Sequence, residues 1–225
     1  MKGLVLKDYY NLRTTMLLSI ALMLFPSIAI AITGGNIGDE EPGAMTEFIA
    51  VMVYGMMNYM CITLFSGFIM NTISDDKRTG WAKMQRAMPV SGGQIMGGKL
   101  IAMALIVGIL TGLTLIVNIT GIIFYDLPAE PLIAIPFIVA LMQVITLSLC
   151  LMLGYRISTK VMTPTFLIIE VIVAAGVIAL IIQAVKENIS MTAVRVTAYA
   201  VIPVLAAAAV AVSYTLGKKS VMRDM

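Results

Sequence analysis

The stretch LIAMALIVGILTGLTLIVNITGIIFY, from Leu100 to Tyr125, carries no charged side chain. A helix needs about 20 consecutive apolar residues to cross the hydrocarbon core of a bilayer, and this stretch exceeds that length. A chain inside lipid must also satisfy its own backbone hydrogen bonds, which a helix does within one segment. The stretch therefore predicts a transmembrane helix.

Five further apolar runs of bilayer length flank this stretch. The chain is 60% hydrophobic and 12% charged, with a mean hydropathy of +0.99, far outside the range of soluble domains. The sequence predicts an all-α membrane protein, a single transmembrane domain over residues 1–225 with six helices. In chain order, the predicted spans 1 to 6 are Met16 to Thr33, Phe48 to Ile73, Leu100 to Tyr125, Leu132 to Tyr155, Val161 to Val185 and Val196 to Gly217.

Lysine and arginine are divided unequally between the two sides of such a bundle. Because cytoplasmic loops retain an excess of these residues, the division predicts that both termini are cytoplasmic. The outer loops then hold only Lys186 and Arg195. The cytoplasmic segments hold Lys2, Lys7, Arg13, Lys77, Arg78, Lys83, Arg86, Lys99, Arg156, Lys160, Lys218, Lys219 and Arg223.

The N-terminal residues 1–13 show a helical pattern ahead of span 1. Their polar residues Lys2, Lys7, Asp8 and Asn11 fall mostly on one side. This pattern predicts an amphipathic helix in the cytoplasmic headgroup layer, and a frayed tail is the alternative. The apolar residues on the opposite side are Leu4, Val5, Tyr9, Leu12 and Met16.

Several kinds of chemistry are missing from the sequence. It contains no histidine, and Cys61 and Cys150 lie in apolar runs, which excludes Ser/His dyads and His-ligated zinc sites. The complete pattern GxxxxGK[ST] is absent, so the chain does not bind ATP through a P-loop. An intramembrane aspartyl protease needs two facing carboxylates, whereas Glu170 is the one acid deep in a span. We expect no catalytic, metal or cofactor site in this chain.

Three polar residues within the predicted spans are candidates for function. An ionised carboxylate near mid-span costs about 2.5 to 3.5 kcal/mol, so Glu170 is either a proton or cavity-lining site, or a protonated or hydrogen-bonded packing group. Asn118 and Gln143 fit hydrogen bonds between helices better than substrate contacts.

Segment 74–99, between spans 2 and 3, is unusually charged for so apolar a chain. Ser74 is a candidate N-cap, with Asp75 and Asp76 in a first turn that favours negative charge. These features predict that a short amphipathic helix begins at Ser74. Its apolar side would hold Trp81, Met84 and Met88, and its basic side Lys77, Arg78, Lys83 and Arg86.

The second half of segment 74–99 predicts a turn and a new helix. Pro89 disfavours helical geometry at Met88, and Ser91 with Gln94 three residues later forms a capping box. The new helix would run through Lys99 into span 3. From these residues alone, the segment could instead lie flat on the membrane, with Trp81 at the interface and its cations on lipid headgroups.

The N-terminal MKGLVLKDYYNLR and the later ISDDKRTGWAKMQRAMPVSGGQIMGGKL together resemble the membrane subunits of type-2 ABC exporters. The resemblance is to the bacterial branch that includes the phenol-soluble-modulin exporters. Family members often carry a basic residue after the Pro-Val-Ser turn, where this chain has Gly92 and Gly93. The residues that match the family pattern are Asp75, Asp76, Lys77, Gly80, Trp81, Pro89, Val90, Ser91 and Lys99.

The resemblance implies that segment 74–99 contains a coupling helix that docks in a groove of a separate ATPase subunit. Trp81 would be the apolar anchor in that groove, and the cations would fix its orientation. The implied contacts are Asp75, Asp76, Lys77, Arg78, Gly80, Trp81, Lys83, Met84, Arg86, Met88, Pro89, Val90 and Ser91.

The resemblance also implies an assembly and a cargo. Two copies of the chain would form the pathway in the bacterial plasma membrane, and two ATPase chains would bind ATP and Mg. The cargo would be amphipathic or hydrophobic, such as cytolytic or antimicrobial peptides, with no nucleic-acid partner. Two other classes remain open, namely a proton-coupled secondary transporter that uses Glu170 and a non-transporting membrane sensor or assembly protein.

Overall fold

The computed structural model describes residues 6–8, 10, 13, 17, 54–55, 57–63, 69–81, 84, 90–186 and 191–223, and within them the regular structure is entirely helical. We number the helices with defined bounds α1 to α5. They are α1 (Ile69–Arg78), α2 (Gly92–Tyr125), α3 (Ala129–Gly154), α4 (Thr159–Lys186) and α5 (Met191–Arg223). Residues 54–55 and 57–63 are also helical and belong to predicted span 2.

Three stretches of the described residues are long and apolar enough to cross a membrane: Gly92–Ile123, Ala129–Gly154 and Tyr199–Val221. They correspond to predicted spans 3, 4 and 6. Predicted span 5 is helical as α4, and Pro164–Val173 is the apolar part of it among the residues whose side chains the structure describes. Predicted span 1, apart from Leu17, lies outside the described residues. The total of six spans therefore stays a prediction.

The turn at each end of α2 has a local cause. Ser91 Oγ accepts a hydrogen bond from the Gln94 amide, and the Gln94 side chain accepts one from the Ser91 amide, which confirms the predicted capping box. At the other end, Asp126 adopts a left-handed conformation with φ of 50°, and Leu127 is buried. The chain thus reverses within residues 126–128 and enters α3.

Helix α3 lies at the centre of the described bundle. It packs against α1, α2, α4 and α5, and α2 also packs against α5. Apolar side chains such as Ile116 and Ile123 on α2 and Val171 on α4 point outward, as expected for surfaces that face lipid. The fully buried apolar side chains include Ile62, Ile73, Met96, Met103, Leu110, Leu147 and Leu151.

Two glycines of α2 differ in the space around them. A Cβ on Gly121 would lie 2.9 Å from the ring and hydroxyl of Tyr54, whereas a Cβ on Gly108 would meet no described atom within 4 Å. Gly121 therefore permits close approach between α2 and the helical residues of span 2. Gly108 faces outward.

We expect Gly121→Ala to destabilise the protein by roughly 1 kcal/mol, because the added methyl group must displace the Tyr54 ring. Gly108→Ala is the matched control and should be neutral or slightly stabilising, since alanine favours helix more than glycine does. Unfolding of both variants in mixed detergent micelles measures the difference. Equal stability of the two variants would contradict the contact between Gly121 and Tyr54.

Candidate functional site

The end of α1 forms the base of segment 74–99. The helix runs without interruption from Ile69 to Arg78, so the prediction that Ser74 caps the start of a helix is wrong. Ser74 marks where the sequence turns polar, not where the backbone changes conformation. Asp75 and Asp76 consequently lie in the last turn, where the helix dipole disfavours negative charge.

Gly80 ends this helix. Its φ of 75° lies in the left-handed region, which glycine adopts without strain. The backbone is helical again at Trp81 and Met84, and the Met84 amide donates to the Gly80 carbonyl. A second helical turn thus begins directly after Gly80. Of the predicted coupling residues, Lys83, Arg86, Met88 and Pro89 lie outside the described residues.

Four charged side chains meet beside the end of α1 and alternate in sign: Lys7, Asp76, Lys99 and Asp8. We call them the ion ring. Lys99 Nζ lies 2.9 Å from Asp8 Oδ1 and 2.8 Å from Asp76 Oδ2. Lys7 Nζ donates a hydrogen bond to Asp76 and lies 3.5 Å from Asp8 Oδ1. Lys99 also donates to the Thr72 hydroxyl over 2.9 Å.

Three members of the ion ring are buried although the ring carries two positive and two negative charges, and Lys7 is half-buried. Asp8, Asp76 and Lys99 are 2%, 4% and 3% exposed. Asp8, which the sequence places on the polar side of the N-terminal helix, is thus buried against Lys99. The ring explains how Asp76 is accommodated at the unfavourable end of α1. Alternating neighbours neutralise each charge, which a buried ion requires.

The residue after Asp76 joins α1 to the end of α3. Lys77 Nζ donates to the carbonyls of Gly154 and Ile157, each over 2.8 Å, and to that of Tyr155 over 3.3 Å. These carbonyls lie at or just beyond the end of α3, where backbone acceptors lack a partner within the helix, and a cation there also complements the negative end of the helix dipole. Lys77 is thus a C-terminal cap supplied by a neighbouring helix.

Trp81 lies against the ion ring. Lys7 Nζ sits 5.0 Å from the centre of the Trp81 ring, which is a cation–π contact. The indole is half-buried, and its Nε1 is buried without a hydrogen-bond partner among the described residues. Met84, by contrast, is 54% exposed. Within the described part of segment 74–99, Met84 is therefore a more accessible apolar contact than Trp81.

The other predicted coupling residues that the structure describes, apart from the buried Asp76, face outward or lie half-buried. Arg78 is exposed and donates to Asp75 over 3.2 Å, an i,i+3 pair on the surface. Ser91 is exposed and Val90 is half-buried. The outer surface of the segment thus carries a basic residue, an apolar residue and polar groups, which suits a protein interface.

A second polar cluster lies within the predicted spans. Glu170 on α4 is 9% exposed, and its Oε1 accepts hydrogen bonds from Gln143 Nε2 over 2.6 Å and from the Tyr59 hydroxyl over 3.2 Å. Gln143 on α3 also donates to the Thr63 hydroxyl over 3.0 Å. The structure thus joins two of the three polar candidates and ties span 2 to α3 and α4.

The third candidate, Asn118, has different partners. It is fully buried on α2, donates to the Leu132 carbonyl, and accepts a hydrogen bond from Asn58 over 3.2 Å. Asn118 therefore ties α2 to the start of α3 and to span 2. These bonds agree with the interpretation that Asn118 joins helices.

Sequence reasoning did not identify the ion ring. Lys7 and Asp8 are separated from Lys99 by about ninety residues, and no local spacing relates them. The sequence did contain one indication of a buried ion pair. Lys99 immediately precedes the apolar run of span 3, and no acidic residue lies near it in the sequence. A cation at such a boundary needs a partner from elsewhere in the chain.

Comparison with known proteins agrees with this architecture. The model of a family described as ABC-2 family transporter protein matches residues 3–220. No curated protein and no solved structure matches the chain. The matched region includes the ion ring, segment 74–99 and all five defined helices except the last residues of α5. The chain belongs to the ABC-2 transporter family and is the membrane permease subunit of an ABC transporter, a type of subunit that works with a separate ATPase.

Proposed function

We propose that this permease belongs to an ATP-driven exporter of the bacterial plasma membrane. In this proposal the chain crosses the membrane six times, has both termini in the cytoplasm, and forms a homodimer served by two ATPase chains that bind ATP and Mg. Its cargo is amphipathic or hydrophobic, such as cytolytic or antimicrobial peptides. The family membership and the sequence of segment 74–99 support this assignment.

One observation carries the coupling role that we propose for segment 74–99. The base of the segment is bound to three other parts of the chain, since Asp76 pairs with Lys7 and Lys99 while Lys77 holds the end of α3. A segment that only rested on headgroups would not need buried ion pairs at its base. A movement of this base is instead passed to the bundle as a rigid-body displacement.

The charge distribution supports the proposed orientation. The contacts of Lys7, Lys77 and Lys99, together with the 2.7 Å hydrogen bond from Arg156 to Ser220, bring the basic segments to one end of the described bundle. Asp126 lies at the opposite end of α2. We assign the basic end to the cytoplasm, where an ATPase would reach it.

The test is reconstitution with a candidate ATPase, namely a protein that contains a P-loop and is encoded beside this chain. We expect the two proteins to copurify and the permease to change the rate of ATP hydrolysis. Met84→Glu should weaken the complex about tenfold, because it places a charge in an apolar contact of the interface. Met84→Leu, which keeps the side chain apolar, is the matched control.

Three results would contradict the proposal in different ways. Failure of any P-loop neighbour to bind would remove the exporter assignment. Equal binding by the Met84→Glu and Met84→Leu variants would remove Met84 from the interface. A Trp81→Ala variant that keeps wild-type complex formation and ATP hydrolysis would exclude Trp81 as the groove anchor.

A further inference from the structure

Segment 74–99 is not a single rigid helix. Gly80, with its left-handed backbone, separates the end of α1 from the helical turn that contains Trp81 and Met84. A single flexible residue between two helical pieces allows them to move independently. Motion applied to one piece would therefore dissipate at Gly80 unless other contacts hold the pieces together.

The ion ring supplies these contacts on both sides of Gly80. Before the glycine, Asp76 pairs with Lys7 and Lys99. After it, the Trp81 ring packs on the same Lys7 ammonium. Lys7 thus touches both pieces, and it belongs to a third part of the chain, the helical residues 6–8. The ring therefore links the two pieces by side-chain contacts that do not depend on the Gly80 backbone.

The ring also reaches the interior of α2. Lys99 lies about two turns beyond the N-cap Ser91, inside a helix that continues without interruption to Tyr125. A displacement of the Lys99 ammonium therefore moves α2 as a rigid rod, including the residues that face the bundle. The covalent connection to α2 bends at Thr79 and Gly80 and is extended at the N-cap Ser91, so it transmits such a displacement less directly.

We propose that the ion ring transmits the motion of segment 74–99 along two separate paths, one to α2 and one to the N-terminal residues. Asp76 and Lys99 pass it to α2, and Lys7 with Asp8 passes it to the N-terminal residues. Lys99 and Asp76 are positioning residues in this proposal and contact neither nucleotide nor cargo. The inference rests on the proposed function, because it requires an ATPase that moves segment 74–99.

Because the charges alternate, each of the two paths can be interrupted by a double substitution that leaves no ion unpaired. Asp76→Asn with Lys99→Met breaks the link between α1 and α2, and Lys7 keeps Asp8 as its partner at 3.5 Å. Lys7→Met with Asp8→Asn releases the N-terminal residues, and Lys99 keeps Asp76 at 2.8 Å. Both double variants are neutral overall and lose one acid and one base, so they are matched in charge.

The experiment measures distances between nitroxide labels by double electron–electron resonance, in the full complex with the ATPase. Cys61 and Cys150 are first replaced by alanine. One label sits on α2 at Ile101 and another, in a separate sample, on the N-terminal residues at Arg13. Each is paired with a reference label on α5 at Lys219, and all three sites are exposed. Spectra are recorded without nucleotide and after trapping with ATP and vanadate.

In the wild type, we expect trapping to shift both distances. The Asp76→Asn/Lys99→Met variant should lose the shift at Ile101 and keep the shift at Arg13. The Lys7→Met/Asp8→Asn variant should show the reverse pattern. Asp126→Asn, which removes an exposed charge at the other end of α2, is the control and should keep both shifts.

The outcomes separate this inference from the proposed function. Transmission through the ion ring would be contradicted if both distance shifts survived in both double variants. It would also be contradicted if both variants lost the same shifts, because a role in stability alone affects both labels alike. Absence of any shift in a wild-type complex that hydrolyses ATP would overturn the proposed transmission and, with it, the ring's role. Failure to form a complex would overturn the exporter assignment itself.

Discussion

Lys99→Met is expected to lower the free energy of unfolding by about 3 to 5 kcal/mol, the usual effect of removing one partner from a buried ion pair. Lys99 is 3% exposed and contacts Asp8, Asp76 and Thr72. Its loss leaves two buried carboxylates with Lys7 as their shared cation. Unfolding in mixed micelles can be followed by fluorescence, since Trp81 is the one tryptophan of the chain and lies against the ring.

Two comparisons identify the cause of this effect. Lys160→Met makes the same chemical change at an exposed position and should alter stability by less than about 0.5 kcal/mol. Adding Asp8→Asn to Lys99→Met leaves Lys7 and Asp76 as a neutral pair, so the double variant should be more stable than the single variant. If Lys99→Met were no worse than Lys160→Met, the buried ion ring would be ruled out.

Glu170→Leu is expected to destabilise the protein by about 1 to 3 kcal/mol, because it leaves buried polar groups without their acceptor. Gln143 would lose its 2.6 Å hydrogen bond to Glu170, and Tyr59 would lose its 3.2 Å hydrogen bond to the same oxygen. The loss would loosen span 2 from α3 and α4. The same unfolding assay measures it, in protein purified without the ATPase.

Glu170→Gln is the matched control, because its amide oxygen can accept the bonds from Gln143 and Tyr59. Its amide nitrogen replaces Oε2, which has no hydrogen-bond partner among the described residues. We expect wild-type stability and wild-type ATP hydrolysis in the complex. Destabilisation equal to that of Glu170→Leu would refute the role of Oε1 as an acceptor. Loss of transport in the glutamine variant with no dependence on ATP would favour a proton-coupled carrier.

Much of the helical architecture follows from the sequence by simple physics. The apolar runs predicted α2, α3 and α5, because length and composition alone specify a helix in lipid. The capping box at Ser91 was also predictable, since both of its hydrogen bonds lie within four residues. For Glu170 and Gln143, polarity inside an apolar run marked the residues, although only the structure could pair them.

The start of segment 74–99 was not predictable by the same reasoning. At Ser74 the composition changes from apolar to charged, and this change was interpreted as the start of a new helix. Helix α1 instead runs through Ser74 to Arg78, since no glycine or proline interrupts residues 69–79. Its acidic last turn is stable because Lys7 and Lys99, from distant parts of the sequence, neutralise Asp76. Local propensity carries no information about such partners.

The adjacent residues Asp76 and Lys77 fix the rotation of α1 about its own axis. One side chain reaches the ion ring and the other reaches the end of α3, about 100° apart around the helix. Inserting or deleting one residue before Asp76 within α1 would turn both away from their partners at once. The register of Asp76 and Lys77 against the buried residues of this helix is therefore constrained as strictly as the register of a strand in a sheet.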